Sequence, residues 1–235
     1  MDDLPLISAY SHPTARRPML GLTVLVVEDS RFACDALRLM CLRSGARIRR
    51  ADCLASARRH LQVYRPSVAI VDMGLPDGSG ADLIEEMSRS VPRIDVVLAT
   101  SGDSFVEDQA LAAGADGFLS KPLGSLAIFQ EAILSRLPVD QRPAGPRSLS
   151  KDKVTPDPVA YRDDLCHAAE TLREDGTLDY VAKFLSGLAL SAHDLALQRA
   201  ADTVSRGRAD GKLLNADVSR LRQLVEARLA QEPAL

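Results

Sequence analysis

The stretch LTVLVVEDSRFACDALRLM occupies residues 22–40. Its first six residues are apolar apart from Thr23, a run of the length and composition of a strand covered on both faces. After Glu28 and Asp29 the period changes, and Ala33, Ala36, Leu37 and Met40 recur at helical spacing on one face. Working outward, the same alternation repeats. Strands are expected at 22–27, around Ile48, at 67–71, at 94–99 and at 117–119, with helical patterns between them. The last helical pattern carries Leu126, Phe129, Ile133 and Leu137. Five βα units with crossovers of this length require parallel strands and right-handed connections. The expected fold class is therefore α/β, a five-stranded doubly wound parallel sheet with helices on both faces. Ligands of such a sheet sit at the carboxyl ends of its strands.

The rest of the chain bounds the reading. Its 235 residues are 46% hydrophobic and 26% charged, with 29 Lys and Arg against 32 Asp and Glu. The net charge of −3 supplies no global positive field for nucleic acid or an anionic membrane. No apolar run approaches the roughly 20 residues of a membrane span. Residues 1–20 lack the basic start and long apolar core of a secretory signal, so a cytoplasmic location is expected. Cys34, Cys41, Cys53 and Cys166 show no metal-ligand spacing and read as small buried or half-buried apolar residues. Five of the 13 prolines fall between residues 138 and 158, where neither helix nor sheet ladder is expected. The expected organisation is an arm at 1–20, an α/β domain at 21–137, a proline-rich linker at 138–158 and a smaller all-α domain at 159–235. Helices are expected in the last at about 159–173, 178–187, 192–206 and 216–230, with starts at Ser191 to Asp194 and at Asn215.

At the carboxyl ends of the strands the residue types become specific. The first strand ends in Glu28 and Asp29 and the third in Asp72. Carboxylates about 5 Å apart repel by about 3 kcal/mol per pair at an effective dielectric near 20. A hard divalent cation, Mg2+ or Mn2+, relieves this, and neither His nor Cys is at hand for zinc. The fourth strand ends in Thr100 and Ser101, and Lys121-Pro122 follows the fifth. Acids, a hydroxyl and an ammonium suit phosphoryl transfer onto a carboxylate. Asp72 would attack phosphorus, a metal held by Glu28 and Asp29 would neutralise the equatorial oxygens, and Lys121 with Thr100 would each hold a product oxygen.

VLVVEDS at 24–30, IVDMGLPDGSG at 70–80, LATS at 98–101 and GADGFLSKPL at 114–123 together resemble the receiver domain of two-component response regulators, over residues 22–137. The resemblance implies a flavodoxin-like fold with Asp72 as phosphoacceptor. Asp29 and Asp72 would bind Mg2+ directly, Gly74 would add a backbone carbonyl, and Glu28 would act through water. Thr100 and Phe118 would be the switch pair, Lys121-Pro122 a cis peptide, and the partner a histidine kinase or histidine phosphotransfer protein. Gly74 departs from relatives, which often carry a side chain there, and this implies an altered phosphate lifetime.

The helical part is less specific. SAHDL at 191–195 resembles a phosphoaccepting histidine box, but Leu197 stands where those families place Asn or Thr. His193, expected on a helix, therefore reads as an ordinary exposed or capping residue. ALQRAADTV at 196–204 resembles the helix of histidine phosphotransfer domains, with Asp202 in the histidine's place, as in a degenerate copy. The basic residues Arg199, Arg206, Arg208, Arg220 and Arg222 are interspersed with Asp202, Asp210 and Asp217, which argues against a nucleic-acid patch. The apolar stripe Leu213, Leu214, Val218, Leu221, Leu224, Val225 and Leu229 is expected to pack on neighbouring helices or on a second copy. The whole reads as a non-enzymatic response regulator signalling through a helical protein-interaction or dimerisation module. The alternative is a transcription regulator with a DNA-binding helical domain; phosphotransfer through His193 is a third class.

Overall fold

The computed structural model describes residues 12–145, 152–174, 176–211 and 214–231. Residues 1–11, the middle of the expected linker at 146–151, and Leu213 lie outside them. The first half alternates strand and helix as β1 (Thr23–Val27), α1 (Arg31–Ser44), β2 (Arg47–Ala51), α2 (Leu54–Val63) and β3 (Val68–Asp72). It continues with β4 (Gly74–Leu75), β5 (Gly78–Ser79), α3 (Gly80–Ser88), β6 (Val96–Ser101), α4 (Glu107–Ala112), β7 (Gly117–Ser120) and α5 (Leu126–Leu134). Strands β2-β1-β3-β6-β7 form the five-stranded sheet, every neighbouring pair parallel. The order reverses beside β1, which opens the crevice between β1 and β3.

Period-two alternation divides the core. Val24, Val26, Val68, Ile70, Val96 and Leu98 pack on one face with α1 and α5. Leu25, Val27, Ala69, Val71, Val97 and Ala99 pack on the other with α2, α3 and α4. Edge strand β2 exposes Arg47, Arg49 and Arg50, charges that discourage pairing with another chain. The hairpin of β4 and β5 was not expected from the sequence. It lies between Asp72 and Gly80, where a Cβ on Gly80 would sit 2.0 Å from the Asp72 carbonyl oxygen, so only glycine lets α3 start this close to the acceptor strand.

Beyond α5 the chain is helical, with α6 (Pro158–Thr171), α7 (Leu178–Ser191), α8 (Leu195–Ala209) and α9 (Asn215–Leu229). Their shared core includes Leu165, Ala168, Val181, Leu185, Leu188, Leu197, Val204 and Leu221. Phe32 of α1 belongs to the same core.

Several expectations are corrected. The proline-rich segment carries a 3-10 turn at Val139–Gln141 and an isolated bridge between Ser125 and Lys153. Val154 is buried in the α1 and α5 core, because an apolar residue flanked by polar ones still finds cover. Helix α7 runs to Ser191, four residues past the expected end, since Gly187 stays helical. His193 lies between helices with φ +58°, and Asp194 alone caps α8, accepting from Leu197 N. Asn215 is the first residue of α9 and the preceding Leu214 makes no side-chain cap. Cys34 and Cys41 are buried and Cys53 half-buried with its Sγ capping α2, but Cys166 is exposed on the outer face of α6.

Candidate functional site

Register brings the site together. Val27 of β1 pairs with Val71 of β3, and Asp72 pairs with Thr100 of β6. The residues that follow β1 and end β3 therefore emerge side by side. Glu28, Asp29 and Asp72 each place a carboxylate oxygen within 4.8 Å of the others. The loop after β7 brings in Lys121, whose Nζ lies 2.8 Å from Asp72 Oδ2 and 2.8 Å from Glu28 Oε2. The Lys121-Pro122 peptide is cis. Gly74 is exposed, donates its N–H to Asp72 Oδ1 at 3.3 Å, and has open space where a side chain would stand.

The two residues expected as the switch pair lie on β6 and β7. Thr100 is fully buried and its Oγ1 donates to the Leu119 carbonyl at 2.8 Å, so the hydroxyl is engaged with β7. Phe118 is half-buried and packs with the cluster under α2, α3 and α4.

Electrostatically the site is short of positive charge, with three carboxylates around one ammonium. Burial, and then the neighbouring Asp72, raise the Glu28 carboxyl well above its ordinary range. Burial likewise raises Asp29, to about 7, with Asp72 adding to it. Burial alone would lower Lys121, but Asp72 and Glu28 outweigh it and hold the ammonium above the usual lysine range. Glu28 Oε2 is enclosed and faces Lys121 without a well-aligned hydrogen bond. An incompletely satisfied carboxylate among hard oxygen donors fits a divalent cation of the Mg2+ class.

The helical region closes over this edge, which the sequence reading did not anticipate. Tyr180 of α7 donates its hydroxyl to Asp29 Oδ2 at 2.8 Å. Asp164 of α6, 2% exposed, accepts from Ser30 Oγ at 2.8 Å, Arg31 N at 2.9 Å and Phe32 N at 3.0 Å, satisfying the first turn of α1. The ring of Phe32 meets Tyr161 edge-on, centroids 5.6 Å apart. A signal for Asp164 was present in the sequence, as an acid on the apolar face made by Tyr161, Leu165 and Ala168. Between the acceptor edge and α7 and α8 a cavity of about 580 Å3 remains, reached by Lys183, Asp202 and Arg206. Asp202 accepts a hydrogen bond from Ser186 Oγ. No helix among the described residues is long and apolar enough to cross a membrane.

Residues 24–133 match the family model of the response regulator receiver domain. The transcriptional regulatory protein KdpE of Mycobacterium tuberculosis is 37% identical over 101 residues, 43% of this chain and 45% of that protein. The virulence transcriptional regulatory protein PhoP of Salmonella typhimurium is 32% identical over 102 residues, 43% of this chain and 46% of that protein. The match thus spans about half the length of these curated relatives. A solved structure, of a putative response regulator from Chloroflexus aurantiacus, is 26% identical with a TM-score of 0.45, covering 49% of this chain and 98% of that one.

Proposed function

Residues 24–133 are a receiver domain of the response regulator type, and from that premise we propose that this protein accepts a phosphoryl group on Asp72 in a two-component phosphorelay and signals through its helical region. The observation that carries the proposal is the convergence of Glu28, Asp29 and Asp72 within 4.8 Å, with Lys121 ion-paired to Glu28 and Asp72.

In the proposed step an Asp72 carboxylate oxygen attacks phosphorus in line. The new O–P bond forms as the bond to the donor's leaving atom breaks, and the electron pair departs with that atom. The leaving atom is a histidine nitrogen when the donor is a histidine kinase or phosphotransfer protein. Lys121, already on Asp72, holds an oxygen of the transferred group. Glu28, Asp29 and Asp72, with the Gly74 carbonyl, would hold Mg2+, which when bound neutralises charge developing on the phosphoryl oxygens. Thr100 can donate to the phosphoryl group only after leaving the Leu119 carbonyl, and that move would free space for Phe118 to turn inward. The receiver is assigned to residues 21–137, joined through 138–158 to an output region at 159–235.

A second reading, a phosphorylation-controlled transcription regulator, is favoured by the names of the relatives. The family match, however, ends at residue 133 and does not extend to α6–α9. A salt-sensitive shift of DNA by the full chain would support this second reading. The primary test is intact mass after incubation with acetyl phosphate and Mg2+. Wild type gains one phosphoryl mass, and Asp72→Ala or chelated samples do not. No gain in wild type at short quench times overturns the assignment.

A further inference from the structure

The three carboxylates of the acceptor edge are not fixed in the same way. Lys121 ion-pairs with Glu28 and with Asp72. The side chain that fixes Asp29 comes from outside the receiver: Tyr180 of α7 donates its hydroxyl to Asp29 Oδ2 at 2.8 Å. The backbone just beyond Asp29 is held from outside as well, since Ser30 Oγ and the amides of Arg31 and Phe32 all donate to the Asp164 carboxylate of α6. Helix α7 also packs against β4, the strand that begins with Gly74. Of the groups that would hold a divalent cation, Asp29 and the Gly74 segment therefore both rest on the bundle.

Tyr180 is itself braced. It stands in the first turn of α7, and its ring lies tilted against Phe184 one turn further on, centroids 5.9 Å apart. Phe184 is buried and meets the His167 ring of α6 edge-on at 5.7 Å. A hydroxyl aimed by packed rings has little freedom left to lose when Asp29 accepts from it. A carboxylate offers two oxygens with about four lone-pair sites, so a donor on Oδ2 leaves the others for a metal ion. What the donor removes is the carboxylate's freedom to turn. Hydrogen-bonded partners behind a metal ligand are worth about 10–100-fold in metal affinity.

We propose that Tyr180 is a positioning residue of the acceptor edge: from the helical bundle it orients Asp29 for a divalent cation, so that cation binding and docking of the bundle reinforce each other. This rests on the reading of Glu28, Asp29 and Asp72 as a cation site. It adds that the site is complete only with the bundle in place. Linkage makes the effect reciprocal: the factor that the docked bundle adds to cation affinity is the factor that the cation adds to docking.

The test uses the full chain and Mn2+, whose free form is counted by electron paramagnetic resonance. Tyr180→Phe should weaken Mn2+ binding by about tenfold or more. Tyr161 is the control, a bundle tyrosine that packs on Phe32 and turns its hydroxyl to Asp194 at 3.4 Å. Tyr161→Phe should leave Mn2+ binding unchanged. Unchanged or tighter binding in Tyr180→Phe overturns the proposal, and so does an equal loss in Tyr161→Phe, which would reduce the effect to a general loosening of the interface. Hydrogen exchange supplies the reverse arm and needs no variant. Saturating Mn2+ should slow the Arg31 and Phe32 amides, which Asp164 holds in the docked state, by about tenfold or more in wild type. Exchange that the metal does not slow overturns the coupling. Asp29→Asn separates this proposal from the reading it rests on. Mn2+ binding undiminished by that change removes the cation site and the role of Tyr180 with it, whereas binding that falls in Asp29→Asn but not in Tyr180→Phe removes the role of Tyr180 alone.

Discussion

Lys121 is the residue on which the acceptor edge depends. Its side chain is 5% exposed and lies between two carboxylates at 2.8 Å. Removing one partner of a buried ion pair leaves the other charge uncompensated, which costs about 3–5 kcal/mol. Lys121→Met should therefore lower the unfolding free energy by about that amount in metal-free urea titrations. Millimolar Mg2+ should restore part of it, since a ligand that binds only the folded state stabilises it by mass action. A change under about 1 kcal/mol would mean the carboxylates are neutral without their lysine. The acids at this edge were legible because a buried apolar run ending in Asp or Glu fixes both the strand and the face from which the acid emerges. The state of Thr100 was not. Its hydroxyl has two acceptors within reach in principle, and nothing in the sequence distinguishes the Leu119 carbonyl from an oxygen at Asp72. Asp164 and Tyr180 escaped because a single sequence displays a helical face without naming what it packs against.

At the scale of elements, α8 shows how one side chain organises a junction. Asp194 caps the helix through Leu197 N and holds Arg228 of α9 by two hydrogen bonds, at 2.6 and 3.2 Å. Burial works against its charge, but Arg228 and the Leu197 amide outweigh this and leave its carboxyl below the ordinary aspartate value. The sign follows: a depressed folded value gives stability that is present above the unfolded value, about 3.9, and is lost as pH falls through the folded one. Asp194→Ala should cost about 0.5–2 kcal/mol at neutral pH. The difference from wild type should shrink in urea titrations repeated between about pH 5 and pH 2, and a difference constant over that range would assign the role to packing. Helix existence here was legible from apolar periodicity, whereas the ends were misplaced for definite reasons. The expected helix ended at residue 187, yet Gly187 stays inside α7 where Gly102 approaches, and Ser191 resembles a cap although Asp194 performs the capping.

For the whole molecule, the consequence concerns cooperativity. The sheet core and the bundle core are separate clusters, and Phe32, on a receiver helix yet counted in the bundle core, joins them. The join was illegible because Phe32 looks like one more apolar residue of α1, and only the docked bundle shows that it faces away from the sheet. Truncating a buried Phe costs about 3–5 kcal/mol, and here the loss falls on the coupling between two bodies. Wild type should melt in one calorimetric transition with a calorimetric to van't Hoff enthalpy ratio near one. Phe32→Ala should split this into two, with the bundle melting first, because in four helices separated from α1 the Asp164 carboxylate loses the donors that Ser30 Oγ and the Arg31 and Phe32 amides provide. A single transition merely shifted down would mean that Asp164 and Tyr180 alone keep the halves coupled. Two transitions would make the bundle separable from the receiver at an energetic cost that binding of a partner can supply.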